Sequence, residues 1–169
     1  MTLPLCDHTS FAIDTPVGVI SDTHGLLRDE ALKAMEGCAL ILHLGDVGEP
    51  EILEQLAEQA PLVAIRGNVD RAAWCESLPM RRDIVVNDWR IHLVHDIADF
   101  DTDTVCDAVL HGHSHKPRQQ WIDGGAGVRR LYFNPGSAGR RRFKLPITAG
   151  QLWAGKDRLC SGVMHLLKD

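Results

Sequence analysis

Asp22, His24, Asp46, Asn68, His95, His113 and His115 are residue types that ligate metal ions, and each stands at the end of a short apolar run. The runs cover residues 17–21, 39–45, 62–67, 91–95 and 108–112. They end, in order, in Ser21-Asp22-Thr23-His24-Gly25, Gly45-Asp46-Val47-Gly48, Gly67-Asn68-Val69-Asp70, His95-Asp96 and His111-Gly112-His113-Ser114-His115. A nitrogen and oxygen donor set without sulfur suits Mn, Fe or Zn, with Co or Ni next, better than a calcium cage. Seven groups are too many for one tetrahedral ion and suit two. Asp22 and His24 are two apart, as are His113 and His115, so in an extended chain each pair projects to one side. Gly25, Gly45, Gly67 and Gly112 beside them allow tight turns and close backbone approach.

Two divalent ions would bring four positive charges, against two negative ones from Asp22 and Asp46. The surplus would attract an anionic substrate and acidify a water held between the metals. Other groups near these motifs are candidates for supporting roles. Asp46 and Asp70 are candidate catalytic carboxylates, with Asp70 and Asp96 better suited to orienting histidines or capping a turn. His111 shares the parity of His113 and His115 and is a candidate substrate contact; a hydrogen-bonded strand histidine is the alternative. Arg66 and Arg71 flank Gly67-Asn68 and are candidate phosphate binders, with solvated loop arginines as the plain reading. Arg140-Arg141-Arg142 could form a basic rim or a solvated face. His8, His43, His92 and His165 lack motif context and read as structural, and the four tryptophans as core or subunit contacts.

The elements that must position these residues follow from periodicity. The five runs show little polar alternation, as in strands buried on both faces. Leu27, Ala31, Leu32 and Met35 form a helical stripe between the first two, and Ile52, Leu53, Leu56, Ala57 and Ala60 form another between the second and third. Pro50 suits the first turn of that second helix. Strand, helix, strand, helix, strand predicts a parallel sheet built from two crossovers. After Pro79 the pattern predicts three hairpins. One spans 83–96 and turns near Asn87-Asp88. One joins 119–123 to 128–133 around 124–127. The last joins 147–154 to 158–166. In an α/β sheet the loops past the carboxyl ends of strands meet in one crevice, where the seven ligand types would converge.

The 169 residues fit one domain, 1–169, without linker or repeat. A net charge of −5 gives no general attraction to nucleic acid or anionic membrane, so neither is an expected partner. No apolar stretch is long enough to span a bilayer. Five scattered cysteines, none spaced CxxC, suit reduced thiols, and the N-terminus lacks a basic leader; both predict a cytoplasmic protein. A homo-oligomer stays open.

The ordered series of DxH, GD, GN, His and GHxH, completed by Asn134-Pro135-Gly136-Ser137, resembles the calcineurin-like metallophosphoesterases, especially their small prokaryotic phosphodiesterase branch. The resemblance covers residues 17–137. It implies the metallo-dependent phosphatase fold, an α/β four-layer sandwich of two mixed β-sheets flanked by helices. It also implies that Asp22, His24 and His115 hold one divalent metal, that Asn68, His95 and His113 hold a second, and that Asp46 bridges them. Mn is the favoured metal. The implied activity is hydrolysis of a small phosphate ester by a hydroxide bound to both metals, a diester in preference to a monoester. The chain departs from the family at Val69, where many larger members place a histidine that protonates the leaving oxygen. General acid catalysis is worth about 10²–10⁴-fold, so esters with poor leaving groups should react slowly. Two rival readings are a non-catalytic interaction module on the same fold, like the retromer subunit, and a metallo-β-lactamase type hydrolase. The complete ligand set argues against the first, and the absence of HxHxDH against the second.

Overall fold

The computed structural model describes residues 2–124 and 128–167. A two-residue strand, β1 (Ser10–Phe11), precedes β2 (Val17–Ile20), β3 (Leu40–His43) and β4 (Leu62–Ala64), the three runs expected to lie side by side. They are parallel, with Val17 opposite Leu40 and Ile41 opposite Leu62. The crossovers carry α1 (Asp29–Met35) and α2 (Pro50–Ala57), the latter with its proline at the first turn, where the missing N–H costs nothing.

The remaining strands are β5 (Arg81–Val86), β6 (Trp89–Val94), β7 (Ala108–Leu110), β8 (Arg118–Asp123), β9 (Arg129–Asn134), β10 (Thr148–Ala154) and β11 (Leu159–His165). All three hairpins form. In the first, Val86 pairs with Trp89 across Asn87 and Asp88, whose φ of 48° and 68° are those of a primed turn that matches the strand twist. In the second, Asp123 pairs with Arg129, and residues 125–127 of the glycine-rich turn lie outside the described residues. In the third, Ala154 pairs with Leu159.

The strands make two mixed sheets, one in the order β11-β10-β2-β3-β4 and one in the order β1-β5-β6-β7-β9-β8. The first three apolar runs thus belong to one sheet and the last two to the other. Alternation decides what each face meets. Val17, Val19, Leu40 and Leu42 face Ile91, Leu93, Leu131 and Phe133 across the gap between sheets. The opposite parity, Ile20, Ile41 and Leu62, packs against Ala31 and Met35 of α1 and Leu53 and Leu56 of α2. Strands covered on both faces leave no position for a polar residue, which is why they read as unbroken apolar runs.

Helices flank the outer face of the five-stranded sheet. Over the six-stranded sheet the outer layer is the loop 95–107, with a single 3-10 turn (Ile97–Asp99) and no α-helix among the described residues. Phe100 of that loop lies 5.3 Å from the His92 ring and 6.1 Å from Tyr132, under the Arg130 guanidinium. One aromatic side chain serves there in place of a helix stripe. Trp74 and Trp89 pack at the margins of the two cores, whereas Trp121 and Trp153 are exposed. All five cysteines are free, and no helix among the described residues is long and apolar enough to cross a membrane.

Leu93, fully buried between the sheets, should be costly to truncate: Leu93→Ala is expected to lower stability by about 2–5 kcal/mol. Val105→Ala, on a side chain 71% exposed, should change it by less than about 0.5 kcal/mol. Urea denaturation of the two variants checks the contrast, and equal midpoints would contradict the assigned inter-sheet core.

Candidate metal centre

The backbone bends sharply at the ends of the apolar runs. Eight described non-glycine residues have positive φ, and five of them are Asp22 (55°), His24 (47°), Asp46 (54°), His113 (65°) and His115 (57°). The expectation that Asp22 and His24, or His113 and His115, share a side because the chain is extended is therefore corrected. Each of these ligand types sits in the left-handed region. Such conformations cost roughly 1–3 kcal/mol each and persist only where surrounding structure fixes them. Aspartate and histidine are among the non-glycine types that accept this region best, so ligand chemistry and backbone demand coincide.

What fixes the bends is backbone packed on backbone. The Asp22, His24 and Gly25 N–H groups donate to the carbonyls of Gly45, Asp46 and Val47 at 3.0, 2.9 and 2.8 Å, so the first two loops run as a ladder. Gly67 lies against Asp46 so closely that an added Cβ would collide with its backbone nitrogen and Oδ1. At Gly112 a Cβ would fall on Ser21 Oγ and 2.7 Å from Asp22 Oδ2. Loops from both sheets meet here, at the carboxyl ends of β2, β3, β4, β6 and β7.

Two groups of donors result, Asp22 with His24 and His115, and Asp46 with His95 and His113, each with ligand atoms within 4.8 Å of one another. In the first, Asp22 Oδ2 accepts from Ser21 Oγ (2.7 Å) and from the His113 N–H (3.1 Å). Its Oδ1 is buried without a hydrogen-bond partner, 3.2 Å from His115 Nε2 and 3.8 Å from His24 Nε2. The two imidazole nitrogens are 3.1 Å apart. In the second, Asn68 Oδ1 lies 3.1 Å from His95 Nε2 and 3.0 Å from His113 Nδ1. Asp46 Oδ2 reaches both groups, 3.3 Å from His95 Nε2 and 3.8 Å from His24 Nε2, while its Oδ1 accepts the Val69 N–H at 2.9 Å.

Proton assignment shows what this geometry wants. His95 Nδ1 is 2.7 Å from the Leu44 carbonyl, an acceptor only, so Nδ1 carries the hydrogen. A neutral His95 then aims the Nε2 lone pair at two oxygens, Asn68 Oδ1 and Asp46 Oδ2. Only a cation reconciles three lone pairs that converge. Without a metal a proton is the cation that can take that place. Burial alone would lower the His95 pKa, but its hydrogen bond with Asp46 and the charges of Asp22 and Asp46 outweigh burial and raise it. Burial likewise pushes the Asp46 carboxyl up, and the His95 and Val69 hydrogen bonds more than offset it, leaving it below the ordinary carboxylate value. His24 is lowered, by burial first, with smaller pushes from Arg142 and His115 against the pull of Asp46 and Asp22. The donor set fits divalent ions: converging oxygens and imidazoles, with an orphaned buried carboxylate oxygen among them.

The other sequence candidates are placed differently. Asp70 accepts the backbone N–H groups of Gly67 (2.9 Å), Val47 (3.1 Å) and Gly48 (3.0 Å), so its carboxylate clamps the second loop to the third. His111 is 3% exposed, its Nδ1 3.4 Å from Asn134 Nδ2; burial, helped by the Arg118 charge, pushes its pKa down to about 4. The imidazole is neutral and enclosed, as in the hydrogen-bonded strand histidine that was the alternative reading. Arg66 lines a pocket of about 100 Å³ together with Asn68, Arg81, His95, Asp96 and His113. Arg71 is exposed and donates through Nε to the Asn68 carbonyl at 3.1 Å. Arg140, Arg141 and Arg142 are exposed. Asp96 Oδ2 stands 3.5 Å from His113 Nε2, while Oδ1 caps the following 3-10 turn.

Two contributors were not legible as functional. Gly45 N–H donates to His43 Nδ1, so His43 presents Nε2–H to Thr23 Oγ1 at 3.0 Å, and Thr23 passes its own hydrogen to the Val47 carbonyl. Burial holds His43 neutral, with its pKa lowered to about 4. This chain steadies the turn between Asp22 and His24. The only sequence signal for it was a histidine closing an otherwise apolar run. The Leu44 carbonyl, which sets the His95 tautomer, leaves no side-chain signal at all.

Residues 16–154 match the family described as the calcineurin-like phosphoesterase superfamily domain. A probable metallophosphoesterase of Methanocaldococcus jannaschii is 33% identical over 151 residues, covering 77% of this chain and 73% of its own. Among solved structures, Chaetomium thermophilum Vps29 has a TM-score of 0.74 at 18% identity, with 92% of this chain and 91% of that one covered. Yfce, a phosphoesterase from E. coli, has a TM-score of 0.65 at 22% identity, with 81% and 87% covered. At these identities the two structures speak for the fold.

Because a proton and a metal compete for His95 Nε2, whose pKa is raised, metal uptake below that pKa should expel a proton. Calorimetric titration of metal-free protein with Mn²⁺, in two buffers of different ionisation enthalpy, should show proton release. Affinity should fall by about tenfold per pH unit, per proton displaced, as pH drops below the raised His95 pKa. Affinity unchanged between about pH 7.5 and about pH 5.5 would refute the assignment, since free imidazole titrates in that range.

Proposed function

The chain belongs to the calcineurin-like phosphoesterase superfamily, and from that membership we propose that it is a metal-dependent phosphodiesterase acting on a small phosphate ester. The observation that carries the reading is Asp46 Oδ2, which stands within 4 Å of histidines from both donor groups. Asp22, His24 and His115 would hold one divalent ion, Asn68, His95 and His113 the other, and Asp46 both, with Mn favoured for a mixed nitrogen and oxygen set. When bound, such a pair supplies positive charge for phosphoryl oxygens and acidifies water near neutral pH.

The chain's own residues do the rest. Asp46 anchors the middle of the site, fixed by the Val69 N–H at one oxygen. Asp70 acts as a positioning residue, holding the Asp46 and Asn68 loops in register. Arg66 and Arg81 border the 100 Å³ pocket beside Asn68 and His113 and offer positive charge to one arm of the substrate. Arg71, tied to the Asn68 carbonyl, is a secondary contact. A pocket next to the centre favours a diester, which has a second arm to place there, over a monoester. Val69 is 43% exposed and has no proton to give, so a leaving group must depart unassisted from that direction.

The likeness to Vps29 supports a second reading, a non-catalytic interaction module on this fold. The complete ligand set favours the enzyme. An interaction surface does not need seven converging ligand types, five of them held in strained backbone.

Bis-aryl phosphate should be hydrolysed faster than the aryl monoester in the presence of Mn²⁺. Asp46→Ala and His113→Ala should each lower kcat by more than about 100-fold. Arg66→Ala should raise KM with little change in kcat, the pattern of lost ground-state binding. Steady-state kinetics checks all three, and wild-type turnover that survives exhaustive chelation would overturn the mechanism.

A further inference from the structure

The first donor group takes Asp22 and His24 from a loop of one sheet and His115 from a loop of the other. Between the sheets lies an apolar core, and apolar contact is non-directional. Something polar must set these loops against each other.

Residues 134–139, from the last residue of β9 into the loop before β10, touch both. Asn134, fully buried, donates from Nδ2 to the Gly112 carbonyl (2.8 Å) and to Ser114 Oγ (3.1 Å), on either side of His113. Its Oδ1 accepts the Gly136 N–H at 2.8 Å, which folds the strap back on itself. Three residues on, Ser137 Oγ donates to the Asp22 carbonyl at 2.9 Å, and the Ala138 N–H donates to the Ser21 carbonyl at 3.1 Å. At Gly139 a Cβ would collide with the Thr23 carbonyl. The strap is itself anchored, since the Thr148 N–H of β10 donates to the Ser137 carbonyl at 2.9 Å. One short segment therefore grips the Asp22 loop through Ser137 and the His113 loop through Asn134.

We infer that Asn134 and Ser137 are positioning residues for the metal centre, fixing the distance between the two loops that share the first donor group. Asp22 depends on Ser137 directly: its left-handed backbone presents its carbonyl to that hydroxyl. The second donor group draws Asp46, Asn68 and His95 from loops held by Asp70 and the Leu44 carbonyl, and meets the Asp22 loop at one remove, through the His24 N–H on the Asp46 carbonyl and the His113 N–H on Asp22 Oδ2. Ser137 thus serves the first ion more than the second and Asn134 both, because Asn134 sets the backbone on either side of His113.

The inference rests on the two-ion reading above, and metal binding separates the two without reference to turnover. Metal-free protein titrated with Mn²⁺, followed by electron paramagnetic resonance, should show two sites in the wild type. Ser137→Ala should weaken the site that survives in His24→Ala much less than the other, which should lose about 10–100-fold in affinity. Ser137→Thr, which keeps the hydroxyl, should restore it, and Asn134→Ala should weaken both. Equal weakening of both sites by Ser137→Ala, or of neither, overturns the inference, as does failure of Ser137→Thr to rescue. A wild type that takes up one ion or none instead removes the two-ion reading on which the inference stands.

Discussion

Ligand atoms that converge with fewer hydrogens than lone pairs between them govern this molecule. Asp22 Oδ1, the Nε2 atoms of His24 and His115, Asp46 Oδ2, Asn68 Oδ1 and His95 Nε2 stand about 3–4 Å from their neighbours. In a low-dielectric interior such groups repel one another unless a cation sits among them. The hydrogen bonds behind them add to the effect. Ser21 and the His113 N–H occupy the far oxygen of Asp22, and the Leu44 carbonyl occupies the far nitrogen of His95, so the inward atoms are the ones left over. Each outer bond orients its ligand and removes the alternative of turning away.

The fold is arranged to hold this arrangement against its own cost. Five ligand types in the left-handed region store strain, and strain persists only where neighbours leave no other choice. Here the neighbours are backbone. The ladder between the first and second loops, the three N–H groups on Asp70 and the glycines at 67 and 112 leave no slack for the chain to relax. The sheets contribute stiffness through an apolar core, and the loops contribute direction through hydrogen bonds. Neither alone would place an oxygen from one sheet beside an imidazole from the other.

The donor groups were legible because buried parallel strands read as apolar runs with obvious ends, and crossover topology brings those ends together. The hairpin at Asn87-Asp88 was legible because those residue types accept the turn it needs. Other features leave no pattern in the residues. Positive φ at His113 or His115 follows from how loops stack, and spacing alone pointed to an extended chain. The role of Asp70 depends on three backbone partners up to 23 positions away. Strand β1 is two residues long, too short for any period. The outer layer over the six-stranded sheet rests on one ring, Phe100, and a single aromatic in a loop carries no period to read. His111 kept the right parity, yet parity says nothing about depth.

Val69 shows how one position can divide its work. Its N–H fixes Asp46, the residue common to both donor groups, so the backbone there is committed to the centre whatever side chain follows. The side chain projects to solvent and is free to vary without disturbing that bond. A histidine in its place would add a proton donor beside the centre, and a valine subtracts one, while the donors that hold cations keep their places. Metal binding and leaving-group chemistry are thus separable here by construction. On the proposed hydrolysis, a chain with valine at this position and every ligand type in place would favour esters whose leaving group needs no proton.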